Sequence, residues 1–163
     1  MAILIRPARR EELPAILAMY ASARLFMREN GNPHQWGDHY PSRETVEGDL
    51  ARGTLYVATE GEELLAVFSF EIGRDPVYEE IDGAWLGARE RYGFLHRLAV
   101  VRRGGGVGGA CLAFCYGQGC GLRIDTHADN LPMQALLKKH GFSYCGTVDY
   151  GVDGTRLAYE RLQ

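Results

Sequence analysis

The strongest chemical signal in the sequence is a glycine-rich stretch that follows a largely apolar run from Phe94 to Val101. Arg102 and Arg103 end this run, and five of the next six residues are glycine. From Val107 the apolar residues recur at steps of three and four, as they do on one face of a helix. A strand, a glycine turn and a helix in this order leave N–H groups free at a helix N-terminus, where they can bind phosphate. We therefore predict a phosphate-binding loop with the positive charge of Arg103 at its mouth.

A dinucleotide-binding loop of the Rossmann type is one alternative. Gly104, Gly106 and Gly109 satisfy the pattern G-x-G-x-x-G, and Asp125 follows 16 residues after Gly109 (125 minus 109), where a ribose-binding acid is expected at about 20. A Rossmann fold, however, places this fingerprint in its first βαβ unit and continues with further units. Here about a hundred residues precede the loop, and only a predicted hairpin follows the second helix after it, which disfavours that alternative.

The overall composition argues against several classes of protein. A net charge of −3 and a pI near 6.0 argue against a nucleic-acid partner, which calls for a basic domain. No apolar run approaches the roughly 18 residues that cross a membrane. The four cysteines lack the C-x-x-C spacing of a zinc or redox site. We expect a cytoplasmic protein with no metal, no membrane partner and no nucleic-acid partner, folded as one domain over residues 1–163.

Hydrophobic periodicity and turn residues predict the elements that position the loop. Their predicted order is β-α-α-β-β-β-α-β-α-β-β. Two segments without a clean period, residues 30–41 and 73–91, interrupt this order and carry aromatic side chains. The predicted strands cover residues 3–6, 54–59, 64–72, 94–101, 122–126, 142–150 and 155–161, and the predicted helices cover residues 10–27, 43–51, 107–118 and 130–140.

The second interpretation of the loop rests on a family resemblance. The run Arg103-Gly104-Gly105-Gly106-Val107-Gly108 resembles the R/Q-x-x-G-x-G/A pyrophosphate loop of the GNAT superfamily of acyl-CoA-dependent N-acyltransferases. Downstream, Asp125-Thr126-His127, Asn130 and the ending Lys139-His140-Gly141-Phe142 are similar to the strand-five and helix-four motif of the same family. The order of elements also resembles the GNAT fold over essentially the whole chain. The resemblance implies an α/β (α+β) fold with a mixed, mostly antiparallel sheet of about seven strands, splayed between strands 4 and 5 and flanked by about four helices.

The resemblance further implies a co-substrate and a reaction. Acetyl-CoA would lie in the splay, with its pyrophosphate on the glycine loop and its pantetheine paired with the backbone of strand four. The acetyl group would pass to the amine of a small molecule or peptide by direct attack in a ternary complex. The cofactor-binding residues that the resemblance implies are Leu98, Val100, Arg103, Gly104, Gly106, Val107, Gly108, Gly109, Asn130, Pro132 and Lys139.

Two histidines are the candidate catalytic residues. An acceptor ammonium must lose a proton before the amine can attack, so a base is needed. The sequence lacks the carboxylate that often serves as base on strand four, and Leu137 stands where many members have a tyrosine on helix four. His96 on strand four and His127 after strand five could each accept the proton, because imidazole titrates near neutrality. Either could instead be structural, and Asp125 and Arg97 could form an ion pair.

The candidate acceptor-binding residues are aromatic, namely Trp36, Tyr40, Phe70 and Trp85. Aromatic side chains in irregular segments are typical of a ligand pocket. Trp36 could equally be a hydrophobic plug over the core. A non-catalytic acyl-CoA-binding sensor remains an alternative to an enzyme, and a homodimer is possible.

Overall fold

Eight strands and four helices make up the computed structural model, which describes residues 2–88 and 90–163. The strands are β1 (Leu4–Pro7), β2 (Leu55–Glu60), β3 (Glu63–Gly73), β4 (Asp82–Gly83), β5 (Tyr92–Val100), β6 (Leu122–Thr126), β7 (Ser143–Asp149) and β8 (Thr155–Arg161). The helices are α1 (Leu13–Glu29), α2 (Arg43–Arg52), α3 (Val107–Tyr116) and α4 (Leu131–Lys139). Arg10–Glu12, Pro76–Tyr78 and Gly151–Asp153 form short 3₁₀ turns. No helix in the described ranges is both long and apolar enough to cross a membrane.

The strands form a single sheet in the order β1-β2-β3-β5-β6-β8-β7-β4. Every neighbouring pair is antiparallel except β5 and β6, which run parallel. That parallel pair joins only Gly93 to Leu122 and Phe94 to Arg123, after which the two strands separate. The predicted mixed, mostly antiparallel and splayed sheet is therefore confirmed. The Rossmann alternative is wrong, because it requires a doubly wound parallel sheet.

Local sequence signals explain most of the helix boundaries. Ser42 caps α2 by accepting a hydrogen bond from the amide of Thr45 at 3.1 Å, and Gly53 ends the helix with a left-handed φ of 73°. Asn130 caps α4 in the same way through the amide of Met133. The first predicted helix starts later than expected, since residues 10–12 form a 3₁₀ turn. The predicted irregular segment 73–91 contains the two-residue strand β4, and Arg89 of this segment lies outside the described residues.

Alternating residues of the central strands build one core on each face of the sheet. Val57, Val67 and Ala99 pack against α1 and α2. Ala66 and Phe68 pack with α3 and with Leu137 of α4 on the other face. Because successive side chains of a strand point to opposite faces, the same strands serve both cores.

A buried ion pair fixes an irregularity in β5. Arg97 has a φ of 55°, the one positive φ outside glycine among the described residues, and the register between β3 and β5 shifts at this point. Its guanidinium donates two hydrogen bonds to the fully buried carboxylate of Asp49 on α2, each at 2.8 Å. Tyr20 of α1 donates to the carbonyl of Arg97 at 2.8 Å. The possible ion pair between Arg97 and Asp125 is therefore not formed, because Asp49 of α2 supplies the carboxylate.

Replacing Asp49 by alanine should lower the free energy of unfolding by about 3–5 kcal/mol, because Arg97 would stay buried without a counter-ion. Urea unfolding followed by circular dichroism measures the change. Arg43→Ala is the matched control, since it breaks an exposed ion pair with Glu47 and should have little effect. Equal effects of the two substitutions would contradict a structural role for the Asp49–Arg97 pair.

Candidate active site

The separation of β5 from β6 opens a cleft with two lobes. The loop lobe, of about 270 Å³, is lined by Arg103, Gly104 and Gly108 together with residues of α1, β5 and α4. The histidine lobe, of about 320 Å³, is lined by His96, Asp125 and Arg156 together with residues of segment 30–41. The residues that line both lobes are Met27, Leu98, Asn130 and Met133. The lobes therefore form one continuous cleft, and a ligand in one lobe can reach a ligand in the other.

The glycine loop supplies unpaired donors at the mouth of the loop lobe. Gly104, Gly105 and Gly106 have successive φ values of 79°, 69° and 75°, a left-handed run that only glycine adopts at low cost. Gly106 then caps α3. Within the described part of the chain, the amides from Gly104 to Gly109 donate to no protein acceptor. These free amides at the positive end of a helix suit a phosphate group.

Gly108 and Gly109, the last two glycines of the loop, are needed for close packing and not for a left-handed backbone. A Cβ on Gly108 would lie 2.9 Å from Leu136 Cδ2, and one on Gly109 would lie 2.6 Å from His140 Cε1. Both contacts are too short for a real side chain. Gly108 and Gly109 therefore let α3 pack closely against α4, while Val107 between the glycines is buried in the core.

An unpaired strand edge faces the cleft beside the loop. β5 pairs with β3 along its whole length, but its other edge has no strand partner beyond Phe94 among the described residues. Leu98 and Val100 lie on this stretch and line the loop lobe. The free edge can hydrogen-bond an extended ligand as an added strand would.

Arg103 lies next to the loop, at the wall of the loop lobe. Its guanidinium carbon is 3.1 Å from the centre of the Phe26 ring, and its Nη1 donates to the carbonyl of Val100 at 2.8 Å. Asn130 and Pro132 line the same lobe. Lys139 is exposed at the end of α4 and lines neither lobe.

His96 is held by a carboxylate that the sequence did not indicate. His96 Nε2 lies 2.5 Å from Asp75 Oδ2, and the Asp75 amide donates to the Tyr92 hydroxyl at 2.9 Å. Burial opposes the charge of Asp75, but the hydrogen bond and the charge of His96 hold the pKa of Asp75 below its usual value. Because an ionised carboxylate only accepts hydrogen bonds, we assign the proton to Nε2. In the neutral form of the ring, the lone pair of Nδ1 is then available as a base.

Asp125 is the second acidic group of the histidine lobe. Its Oδ2 accepts hydrogen bonds from the hydroxyls of Tyr78, at 2.7 Å, and Tyr150, at 2.5 Å. Burial, and then the charge of Asp125, raise the pKa of Tyr150, so this phenol stays protonated as a donor. Tyr78 also packs beside the His96 ring at 5.8 Å between centroids, which connects the two acidic sites.

Comparison with known proteins gives the family. No protein-family model matches the sequence, and no curated protein matches it significantly. A solved GNAT-family acetyltransferase from Streptococcus agalactiae 2603 is 33% identical, with a TM-score of 0.90, over 99% of this chain and 95% of that one. The chain belongs to the GNAT family of acetyltransferases.

Other GNAT structures share the fold at lower identity. The ribosomal-protein-alanine N-acetyltransferase from Brucella melitensis is 22% identical, with a TM-score of 0.65, over 98% of this chain and 99% of that one. A chain of the NatC complex bound to Gag peptide and CoA is 14% identical, with a TM-score of 0.67, over 100% of this chain and 99% of that one. At these identities the likeness is one of fold alone.

The aromatic candidates of this GNAT chain separate into two groups. Trp36 and Tyr40 line the histidine lobe, and Trp36 packs edge-on against Tyr20 as well as Tyr40, with centroids 5.7 and 6.4 Å apart. Phe70 is buried in the core, and Trp85 packs against Tyr78 and donates its Nε1 hydrogen to the Tyr78 carbonyl. Neither Phe70 nor Trp85 lines a lobe.

The second candidate base, His127, lies outside both lobes. Its Nδ1 accepts a hydrogen bond from the amide of Asp129 at 3.0 Å. Burial, and then the positive charge of Arg156, lower the pKa of His127, so its neutral form is favoured. Within the described part of this GNAT chain, no group of three His, Cys, Asp or Glu side chains is arranged to hold a metal ion.

Removing the imidazole by His96→Leu should raise the pKa of Asp75, because burial would then act without the opposing hydrogen bond and charge. A ¹³C NMR titration of the Asp75 carboxyl measures the shift, and His127→Leu is the matched control that should leave it unchanged. The lowered folded-state pKa stabilises the protein above the unfolded-state value of about 3.9, and this contribution is lost as the pH falls through the folded value. On acidification the wild type should therefore lose more of its stability than His96→Leu, in which the Asp75 contribution is smaller from the start. An unchanged Asp75 titration would contradict the coupling.

Proposed function

We propose that this GNAT chain transfers the acetyl group of acetyl-CoA to an amine, with the co-substrate in the loop lobe and the acceptor in the histidine lobe. The observation that carries the proposal is the cleft itself. It has free amides of the glycine loop at one end and His96 backed by Asp75 at the other. Leu98 and Met133 border both lobes, so the two substrates can meet there in one ternary complex.

The residues of the loop lobe suit each part of acetyl-CoA. The amides of Gly104 and Gly106, with Arg103 beside them, suit the pyrophosphate. The free edge of β5 at Leu98 and Val100 suits the amide-containing pantetheine. When bound, acetyl-CoA supplies the acetyl group as a thioester that an unprotonated amine can attack. These residues would bind and orient the co-substrate. Holding the reacting groups in place in this way raises the rate of the reaction.

His96 would accept the proton that the acceptor amine must lose. In the assigned tautomer its Nδ1 lone pair is free, and its side chain is 20% exposed at the histidine lobe. Asp75 would orient the ring through Nε2 and stabilise the imidazolium after the proton is taken. Trp36 and Tyr40 would cover the acceptor and keep bulk water away from the reacting groups.

Introducing a carboxylate by Gly106→Glu should weaken CoA binding by roughly tenfold or more, because a like charge about 4 Å away opposes the pyrophosphate. Isothermal calorimetry measures the affinity. Gly119→Glu is the matched control, since Gly119 has a similar φ of 84° and open surroundings but lies after α3, away from the cleft. The control carries the same backbone strain and should bind CoA normally. Equal CoA affinity of Gly106→Glu and wild type would overturn the assignment of the loop.

Replacing His96 by glutamine should lower kcat/KM for the amine by roughly 10²-fold, with CoA affinity retained. Glutamine keeps a polar side chain of similar size but cannot take up the proton. Release of free thiol from acetyl-CoA in the presence of amines measures the rate. His127→Gln is the matched comparison and should leave kcat/KM for the amine unchanged. The same loss in His127→Gln alone would transfer the role of base to that residue.

A further inference from the structure

The histidine lobe contains two opposite charges, each at least partly buried, that have no ionic partner within residues 2–88 and 90–163. Asp125 accepts hydrogen bonds from two tyrosines but pairs with no cation. Arg156 bonds to main-chain carbonyls but pairs with no carboxylate. Arg97 lines the same lobe and differs, because it has a carboxylate partner in Asp49, which accepts two hydrogen bonds from it and also pairs with Arg52. Asp153 also lines the lobe without an ionic partner, but it is exposed. Asp125 and Arg156 are therefore the less exposed charges that remain for a ligand.

Arg156 has donors to spare despite its burial. The residue is 8% exposed, and a buried guanidinium is costly unless an anion pairs with it. Its Nη1 donates to the carbonyls of Asp153, at 2.8 Å, and Thr155, at 3.1 Å, and its Nη2 donates once to the carbonyl of Gln35 at 3.1 Å. A guanidinium has five N–H donors, so Nε and one hydrogen of Nη2 are left. A carboxylate can accept from two such neighbouring donors at once.

The free atoms of both charges are accessible. The buried side-chain atoms that lack a partner are Asn32 Oδ1 and Thr126 Oγ1, within the described residues. Arg156 Nε and Asp125 Oδ1 have no protein partner either, yet they are not among these buried atoms. They are therefore open to the solvent of the lobe. Thr126, which follows Asp125 on β6, adds a hydroxyl without a partner to the same wall.

The two charges lie on either side of one side chain, Tyr150. The Tyr150 hydroxyl donates to Asp125, while the guanidinium carbon of Arg156 is 5.7 Å from the centre of the Tyr150 ring. Tyr78 links Asp125 to the neighbourhood of His96. A molecule with a cationic and an anionic group close together would pair with both Asp125 and Arg156. Its amine would then lie near the proposed base, His96.

We infer that the acceptor is a free amino acid, with its carboxylate on Arg156 and its amine between Asp125 and His96. The inference rests on the proposed acetyl transfer and names the substrate of that same site. A peptide N-terminus would present a neutral amide to Arg156 and leave the guanidinium without a counter-ion. The lobe, of about 320 Å³, is at the small end of ligand pockets, which suits one amino acid rather than a chain.

The test compares each of the common amino acids with its C-terminal amide and with the corresponding decarboxylated amine, using thiol release from acetyl-CoA. For the best side chain, kcat/KM for the acid should exceed that for its amide and its amine by roughly tenfold or more, as expected for a charge-assisted contact. The amine of the amide is less basic than that of the free acid, so more of it is unprotonated and able to react. This difference favours the amide, so it cannot produce the expected preference for the acid. An amide or a peptide that reacts as well as the acid overturns the inference and leaves acetyl transfer in place.

Substitution of Arg156 tests the residue itself. Arg156→Gln should bring the ratio of acid to amide close to one, through a higher KM for the acid. Arg156→Lys keeps the charge and should keep part of the preference. Arg43→Gln, an exposed arginine on α2, is the matched control and should preserve the full ratio. Arg156 also contacts the carbonyls of Gln35 and Asp153, so thermal unfolding is measured for each variant. If Arg156→Gln does not fold, the ratio of acid to amide is taken from Arg156→Lys. A full acid preference in a folded variant without the guanidinium overturns the inference.

A binding measurement separates this inference from the proposed function. Calorimetry with CoA present should show that the N-acetyl derivative of at least one common amino acid binds at least tenfold more tightly than its amide, and only with Arg156 in place. If no amine releases thiol but this binding is seen, acetyl transfer fails and the carboxylate site stands. If amines react but neither turnover nor binding distinguishes the acid, the carboxylate site fails and acetyl transfer stands.

Discussion

The structure depends on the early end of the parallel pairing between β5 and β6. The strands meet where Gly93 faces Leu122, and a Cβ on Gly93 would lie 2.7 Å from Leu122 Cδ2, so only glycine permits this approach. After the next pair the strands separate, and hydrogen-bonding groups that a regular sheet would satisfy are left on the edge of β5. An unpaired edge inside a protein is costly unless a ligand or solvent completes it. The cleft therefore lies where the edge of β5 has no neighbouring strand.

The charges around the cleft differ in whether the chain already neutralises them. Asp49 pairs with Arg97, which sets the irregularity of β5, and also with Arg52, so Arg97 already has a carboxylate partner from the chain. Asp75 is paired with His96 and serves to orient the ring. Asp125 and Arg156 have hydrogen bonds to neutral groups only, so no opposite charge of the chain neutralises them. Their electrostatic potential therefore acts on a molecule in the histidine lobe. In a partly buried site such uncompensated charges act strongly on a bound molecule.

Local sequence patterns predicted the glycine loop and the order of the main strands and helices. These features follow from neighbours within one or two turns of the chain, so the sequence alone carries the information. The charge partners could not be predicted, because Asp75 and His96 are 21 positions apart and Asp49 and Arg97 are 48 positions apart. Their pairing arises from the tertiary fold, and the possible ion pair between Arg97 and Asp125 is not formed.

The two tryptophans illustrate the same limit. Both lie in irregular segments and looked alike in the sequence, yet Trp36 lines the histidine lobe while Trp85 packs against Tyr78. Phe70 belongs to a strand whose inward side faces the α3 core, so its burial follows from the alternation of β3. An aromatic residue in a loop therefore indicates either a pocket or a small core, and the packing of the neighbouring elements decides between them.

The choice between the two histidines follows from the hydrogen bonds that each ring already makes. His127 uses the lone pair of Nδ1 to accept from Asp129, so in its neutral form Nε2 carries the hydrogen and the ring can only donate. Burial and Arg156 further disfavour its cation. His96 has the opposite arrangement, because Asp75 accepts from Nε2, leaves Nδ1 free and stabilises the positive charge that a base acquires. These contacts favour His96 as the predicted base, since a base needs both a free lone pair and a counter-ion for its protonated form.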